Sequence, residues 1–132
     1  MTKVLVTGGA GFIGSNLVDA LLCEGYDVRV LDNFSTGRRQ NIEHVKKDIE
    51  LIEGDMRDQE ITAQAVDGVD MILHEAALPS VPRSIKAPVT SNDVNVGGTL
   101  KLLSSAQKAG VQRMIMASSS SIYGNTVELP KY

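Results

Sequence analysis

Residues 7–14 read Thr-Gly-Gly-Ala-Gly-Phe-Ile-Gly and directly follow an apolar run at residues 3–6, Lys-Val-Leu-Val. An apolar run followed at once by this glycine pattern predicts a β-strand that turns sharply into an α-helix. Gly8 and Gly11 lack a Cβ, so they allow turn conformations and let a pyrophosphate approach the main chain, while Gly14 lets the helix lie close to its strand. The free N–H groups and the positive dipole end of the helix then favour a diphosphate.

A second apolar run, residues 27–31, ends in Asp32, which lies 18 positions after Gly14. A carboxylate at the tip of the second strand accepts hydrogen bonds from a ribose diol and repels a 2′-phosphate, so NAD is favoured over NADP. Arg38 and Arg39 follow closely and would soften that preference. The alternative for Asp32 is a solvated residue at a strand end.

Composition places the chain among ordinary globular proteins. With 132 residues, 42% hydrophobic and 22% charged, residues 1–132 are expected to form one domain with a real core. The interspersed net charge of −3 indicates neither a nucleic-acid nor a membrane partner. A single cysteine, Cys23, favours a reducing, cytoplasmic location, and it is expected on the apolar side of the first helix. The two histidines lack metal-ligand spacing, so no metal site is expected.

Strand and helix patterns alternate along the chain. The predicted strands are 3–7, 27–31, 49–53, 70–74 and 113–117, and the predicted helices are 12–24, 59–66 and 92–109. The first helix is expected to bury Ile13, Leu17, Leu21 and Leu22. The segment containing Pro79 and Pro82 is expected to be a loop.

This alternation predicts an α/β fold, a Rossmann-type doubly wound parallel sheet. Right-handed crossovers give the strand order 3-2-1-4-5, with ligands at the carboxyl ends of the strands. Residues 125–132 are expected to be a loop with no element after it. The chain is therefore expected to be the N-terminal part of a longer protein.

Six blocks occur in one order along the chain: Thr7–Gly14, Asp32-Asn33, Gly54-Asp55, His74–Ala77, Asp93–Thr99 and Ser118–Gly124. Together they resemble the extended short-chain dehydrogenase/reductases. More narrowly, they are similar to the NAD-dependent nucleotide-sugar epimerases and dehydratases, above all the 4-epimerases of UDP-glucose and UDP-N-acetylglucosamine.

The resemblance implies a role for each block. At the pyrophosphate of NAD it implies backbone contacts from Phe12 and Ile13, in addition to those from the three glycines. Around the adenosine half it places Asp32, Asn33, Ser35, Thr36, Gly37, Asp55 and Met56. Beside the nicotinamide half it places Ala76, Ala77, Leu78 and Asn95. Ser118 would contact cofactor or substrate. Ser119 matches the family's catalytic serine or threonine, which hydrogen-bonds the sugar hydroxyl. Ser80 lies in a loop that often contacts the sugar.

Several of these residues have simpler interpretations. Asp55 is a good N-cap for the helix that follows, and Asn95 is a polar group that backbone can satisfy. Ser119 lies in a serine run of the kind often found in loops. Tyr123 is expected to be a packed ring with a bonded hydroxyl rather than a catalytic group, and Arg83 is expected on the surface.

The resemblance implies that the parent protein inverts C4 of a UDP-sugar by transient oxidation. A tyrosinate takes the proton of the 4-hydroxyl, hydride passes to bound NAD, and the 4-keto sugar turns before hydride returns. The family's Tyr-x-x-x-Lys is missing from the 132 residues, so this chain alone is expected to be inactive. Pro79 stands where some members carry a lysine.

The resemblance also implies a homodimer for the full-length protein and a C-terminal substrate lobe, which is expected to be absent from this chain. A dehydratase is a competing interpretation, but its Thr-Asp-Glu is replaced by serines at 119–121. Another is an NAD-binding module without turnover.

Overall fold

Five parallel strands form one sheet in the order β3-β2-β1-β4-β5 in a computed structural model, which describes residues 1–130. The strands are β1 (Lys3–Thr7), β2 (Asp27–Asp32), β3 (Ile49–Glu53), β4 (Met71–His74) and β5 (Arg113–Met116). In the centre of the sheet, Val4 pairs with Val28 on one side and with Met71 on the other. The predicted fold class and strand order are confirmed.

Helices cover both faces of the sheet. They are α1 (Phe12–Cys23), α2 (Gln59–Val66), α3 (Val81–Lys86), α4 (Pro88–Asn92) and α5 (Thr99–Ala109), and the Asp93–Gly98 segment between α4 and α5 is π-helical. One core lies under α2 and α5 and includes Leu5, Ile72 and Leu102. The other lies under α1 and includes Val6 and Val18. These two layers fix the carboxyl ends of the strands, where ligands are expected.

Three helical predictions were wrong. The segment expected to be a loop contains α3, because Pro82 stands in the first turn, where a proline needs no N–H partner and its fixed φ suits the helix. The last long helix begins at Pro88 rather than near residue 92 and contains the π-helical turn. The buried face of α1 is formed by Gly14, Ser15 and Val18.

That face is rotated by one residue from the predicted one. Ile13 is therefore 59% exposed, and Cys23 is exposed as well, so the prediction that both lie on the buried side was wrong. Leu17, Leu21 and Leu22 are only half-buried. Among residues 1–130, no helix combines the length and apolar character that crossing a membrane requires.

Candidate cofactor-binding site

Two adjoining cavities open where the strands end. One of about 310 Å³ lies beside β2 and β3, and one of about 940 Å³ lies beside β4 and β5. Both are lined by Gly8, Gly11, Thr36 and the segment 75–78, so they form a continuous trough across the glycine-rich turn. Every residue predicted to bind cofactor or substrate lines one of the two cavities.

The glycine-rich turn has no space for side chains. Gly8 has φ +69°, and a Cβ there would lie 2.9 Å from the Ala76 backbone, while a Cβ on Gly14 would overlap the Gly8 carbonyl oxygen. Gly11 is the N-cap of α1 and supplies no side-chain cap. The first N–H groups of a helix lack intrahelical acceptors, and the residues that carry them, Phe12, Ile13 and Gly14, line the larger cavity. Bare backbone and an open helix N-terminus fit a diphosphate.

Asp32 ends β2 as a buried residue, 8% exposed, so the alternative of a solvated strand end was wrong. Its Oδ2 accepts the Ala10 N–H at 2.9 Å and its Oδ1 accepts the Phe34 N–H at 2.8 Å. A carboxylate has about four acceptor positions, so about two remain for a ligand, and Asp32 lines the smaller cavity. Fixed in this way, the Asp32 carboxylate can accept hydrogen bonds from both hydroxyls of a ribose diol.

Arg39 is engaged away from that carboxylate. Its Nη2 lies 2.6 Å from Glu53 Oε1, and its guanidinium stacks 4.1 Å from the centre of the Phe34 ring. Arg38 donates its backbone N–H to the Ala10 oxygen, and neither arginine lines the trough. This arrangement reduces the softening of NAD preference that the two arginines suggest in sequence.

The far edge of the smaller cavity carries an ion pair. Arg57 Nη2 donates to Asp55 Oδ2 at 2.7 Å, Arg57 Nε lies 3.0 Å from Oδ1, and Asn33 Nδ2 lies 3.3 Å from Oδ2. The Arg57 hydrogen bonds lower the pKa of the Asp55 carboxyl to about 2. Asp58, and not Asp55, caps α2, by accepting the N–H groups of Glu60 and Ile61. The N-cap alternative for Asp55 was therefore wrong.

Segment 75–78 forms a wall that the two cavities share. Asn95, in the π-helical turn, accepts the Leu78 N–H at 2.7 Å and donates to the Leu78 carbonyl at 3.0 Å. The simpler interpretation of Asn95, a polar group satisfied by backbone, is therefore correct, and the residue lines the larger cavity as well. Burial lowers the pKa of the neighbouring His74 imidazole to about 4, so His74 is neutral at pH 7.

The serine end of the trough follows β5. Ser118 and Ser119 line the larger cavity opposite Ser80. Ser119 Oγ accepts the Ser121 N–H and donates to Ser121 Oγ, both at 3.1 Å, whereas Ser80 caps α3 by accepting the Arg83 N–H. Tyr123 is 41% exposed, so the expectation of a packed ring was wrong, whereas Arg83 is exposed as expected.

Sequence reasoning missed several side chains of the trough. Arg57, His74, Glu75 and Thr99 line it. Arg57 lies in the Gly-Asp-Met-Arg-Asp stretch at 54–58, two residues after Asp55, and this closeness to Asp55 was the signal that could have identified it. Thr99 ends the block Asp93–Thr99, but its contact with His74, 25 positions away, is not visible in the sequence. In the part of the chain that the structure describes, no three His, Cys, Asp or Glu side chains group to hold a metal.

Comparison with known proteins decides the family. The sequence model of the NAD dependent epimerase/dehydratase family matches residues 4–131. The chain belongs to the NAD-dependent epimerase/dehydratase family. The expected cofactor, NAD, is thus the cofactor for which the family is named.

Individual members of the family are similar over nearly the whole chain. A putative UDP-glucose 4-epimerase of Methanocaldococcus jannaschii is 39% identical over 129 residues, which are 96% of this chain and 41% of the relative. The NAD complex of the Thermus thermophilus UDP-glucose 4-epimerase is 40% identical with TM-score 0.87, covering 96% of this chain and 41% of that one.

A second branch of the epimerase/dehydratase family is equally near. The dTDP-glucose 4,6-dehydratase DesIV of Streptomyces venezuelae, with NAD bound, is 39% identical with TM-score 0.90, covering 96% of this chain and 42% of that one. This chain thus spans about two fifths of the length of these three relatives. Overall identity does not separate epimerase from dehydratase.

Proposed function

We propose that this chain is the NAD-binding portion of a UDP-sugar 4-epimerase. The observation that carries the proposal is the continuous trough, in which the diol-binding Asp32 lies at one end and Ser118 and Ser119 lie at the other. A dinucleotide needs such an extended site at the carboxyl ends of parallel strands. The names of the Methanocaldococcus and Thermus relatives support the 4-epimerase assignment.

The chain's own residues bind and orient in this proposal. Asp32 holds the adenosine ribose, the N-terminus of α1 binds the diphosphate, and segment 76–78 with Asn95 forms the wall beside the nicotinamide. When bound, NAD supplies the hydride acceptor and donor for C4 of the sugar. Ser119 aligns the sugar hydroxyl, which requires its Oγ to exchange the bond to Ser121 for one to substrate.

Proton abstraction is the step that these residues do not supply. Residues 1–132 contain no Tyr-x-x-x-Lys, so they lack the pair of residues that the resemblance implies for accepting the hydroxyl proton. We therefore expect the 132-residue chain to bind NAD without epimerising UDP-glucose or UDP-N-acetylglucosamine. Epimerase activity of this chain alone would overturn that assignment of the base.

The 4-epimerase is preferred to the dehydratase on one local observation. Eliminating water from a sugar requires an acid and a base near the serine end, and positions 120 and 121 carry serines instead of ionisable side chains. Serine hydroxyls are poor proton donors and acceptors at neutral pH. Positions 119–121 therefore offer alignment of a hydroxyl but not the Asp-Glu pair that the dehydratase branch carries there.

Calorimetric titration with NAD tests the cofactor site. Asp32→Asn keeps the shape and one acceptor oxygen but loses the charge, and NAD affinity should fall by about tenfold to a hundredfold. The matched control is Asp48→Asn, an exposed carboxylate outside the trough, which should leave affinity unchanged. Equal affinities for the parent chain and Asp32→Asn would refute the site.

Amide NMR of the NAD-loaded chain tests the substrate end. Adding UDP-glucose should shift the amide signals of Ser118, Ser119 and Ser80, whereas a binding module with no sugar substrate would show NAD binding and no response. Unchanged spectra with UDP-glucose would refute the substrate assignment while leaving the cofactor site intact.

A further inference from the structure

His74 lies buried between two threonines at the end of β4. The residue is only 3% exposed, with Nδ1 2.6 Å from Thr7 Oγ1 and Nε2 2.9 Å from Thr99 Oγ1. Thr7 ends β1, and Thr99 begins α5. The imidazole thus joins the central strand of the sheet to the helix that covers it.

The direction of these hydrogen bonds fixes where the imidazole proton is. Thr99 Oγ1 donates its one proton to the Asn95 carbonyl oxygen at 2.7 Å, so it can only accept from His74. Nε2 of His74 must therefore carry a hydrogen. Thr7 Oγ1 accepts hydrogen bonds from the N–H groups of Glu75 and Ala76, both at 3.2 Å, so its hydroxyl hydrogen can be donated in a hydrogen bond to His74 Nδ1.

The result is a closed circuit of hydrogen bonds around segment 75–78. Thr7 holds the first two residues of the segment by their N–H groups, and Asn95 holds Leu78 by both its N–H and its carbonyl. His74 and Thr99 connect these two attachments. Because segment 75–78 lines both cavities, the circuit sets the position of the wall beside the bound cofactor.

We propose that His74 is a positioning residue for the nicotinamide half of the cofactor, acting as a neutral imidazole with its proton on Nε2. The inference rests on the proposed function, because it assumes that NAD occupies the trough. Only this form of histidine accepts from Thr7 and donates to Thr99 at once. A protonated ring, or a ring with its proton on Nδ1, would break one of the two bonds and release one end of segment 75–78.

Titrations with NAD and with ADP, its nucleotide half, test the positioning role. His74→Phe fills the space without either hydrogen bond, and Thr99→Val removes one partner at constant shape. Each should weaken NAD binding by about tenfold and leave ADP binding within about twofold, because ADP reaches only the turn and the Asp32 end. Thr99→Ser, which keeps the hydroxyl, should restore NAD binding, and His44→Gln, at the other histidine, exposed and outside the trough, should change neither.

Equal losses for NAD and ADP would overturn the proposal, since they indicate general damage, and so would unchanged NAD affinity in Thr99→Val. Imidazole ¹⁵N NMR of the unliganded chain gives an independent readout. It should show a protonated Nε2 and an unprotonated Nδ1 for His74 at pH 7, and the reverse tautomer would overturn the proposal. This spectrum needs no cofactor, so it tests the tautomer separately from NAD binding. Failure of NAD binding in the parent chain would refute the proposed function and, with it, the positioning role, whereas the reverse tautomer would refute the positioning role alone.

Discussion

Lowering the pH from about 7 to about 5 should destabilise this fold through the buried His74 imidazole. Burial lowers the pKa of His74 from 6.5 to about 4. Between those two pH values, His74 is protonated in the unfolded chain but neutral in the folded chain. Stability is therefore unaffected above pH 6.5 and is lost as the pH falls towards about 4. Linkage gives a loss of about 2 kcal/mol between pH 7 and pH 5, and about 3 kcal/mol in full.

Urea unfolding at intervals from about pH 7.5 to about pH 5 measures this loss. The window avoids the perturbed carboxylates, because the pKa of Asp55 is held at about 2 by Arg57 and that of Glu50 is lowered by Arg29. Of the carboxylates, that of Glu75 is nearest in sequence to the His74 imidazole. His74→Phe should remove the pH dependence, whereas His44→Gln should keep it. If the parent chain kept constant stability down to pH 5, the buried neutral imidazole would be refuted.

Three further substitutions test other parts of the trough. Gly14→Ala should abolish NAD binding by calorimetry, because its Cβ would overlap a backbone oxygen of the preceding turn. Arg57→Ala should raise the pKa of Asp55 towards 3.8 in carboxyl NMR titrations; an unmoved pKa would mean that the pair is not formed in solution. Glu53→Gln should raise NADP affinity by at most about fivefold through release of Arg39, and adding Arg39→Ala should cancel that gain.

The parts of the site that follow from sequence are those in which a residue type is required locally. Gly8 and Gly14 must be glycines because backbone lies where a Cβ would be, and Asp32 ends a strand whose position the apolar run already marks. The strand order follows from handedness, which is common to parallel sheets. Such features are visible without tertiary information.

What sequence missed depends on packing between distant segments. Thr7 and His74 are 67 positions apart, and His74 and Thr99 are 25 apart, so no short window along the chain contains the circuit. The face of α1 was misjudged at Ile13 because apolar periodicity allows a rotation of one residue, and only the close approach at Gly14 decides it. Proline likewise suggested a loop where Pro82 lies in the first turn of α3.

The two ends of the trough are therefore built on different physical principles. The adenosine end depends on carboxylates, Asp32 held by backbone N–H groups and Asp55 held by Arg57, so its geometry rests on charge-assisted hydrogen bonds. The other end depends on uncharged groups: His74 bonds the hydroxyls of Thr7 and Thr99, and the Asn95 side chain bonds the Leu78 backbone. Glu75 is the one carboxylate in the wall segment 75–78. The hydrogen bonds that hold this segment nevertheless come from the uncharged groups of Thr7 and Asn95, so the position of the wall does not depend on an ion pair.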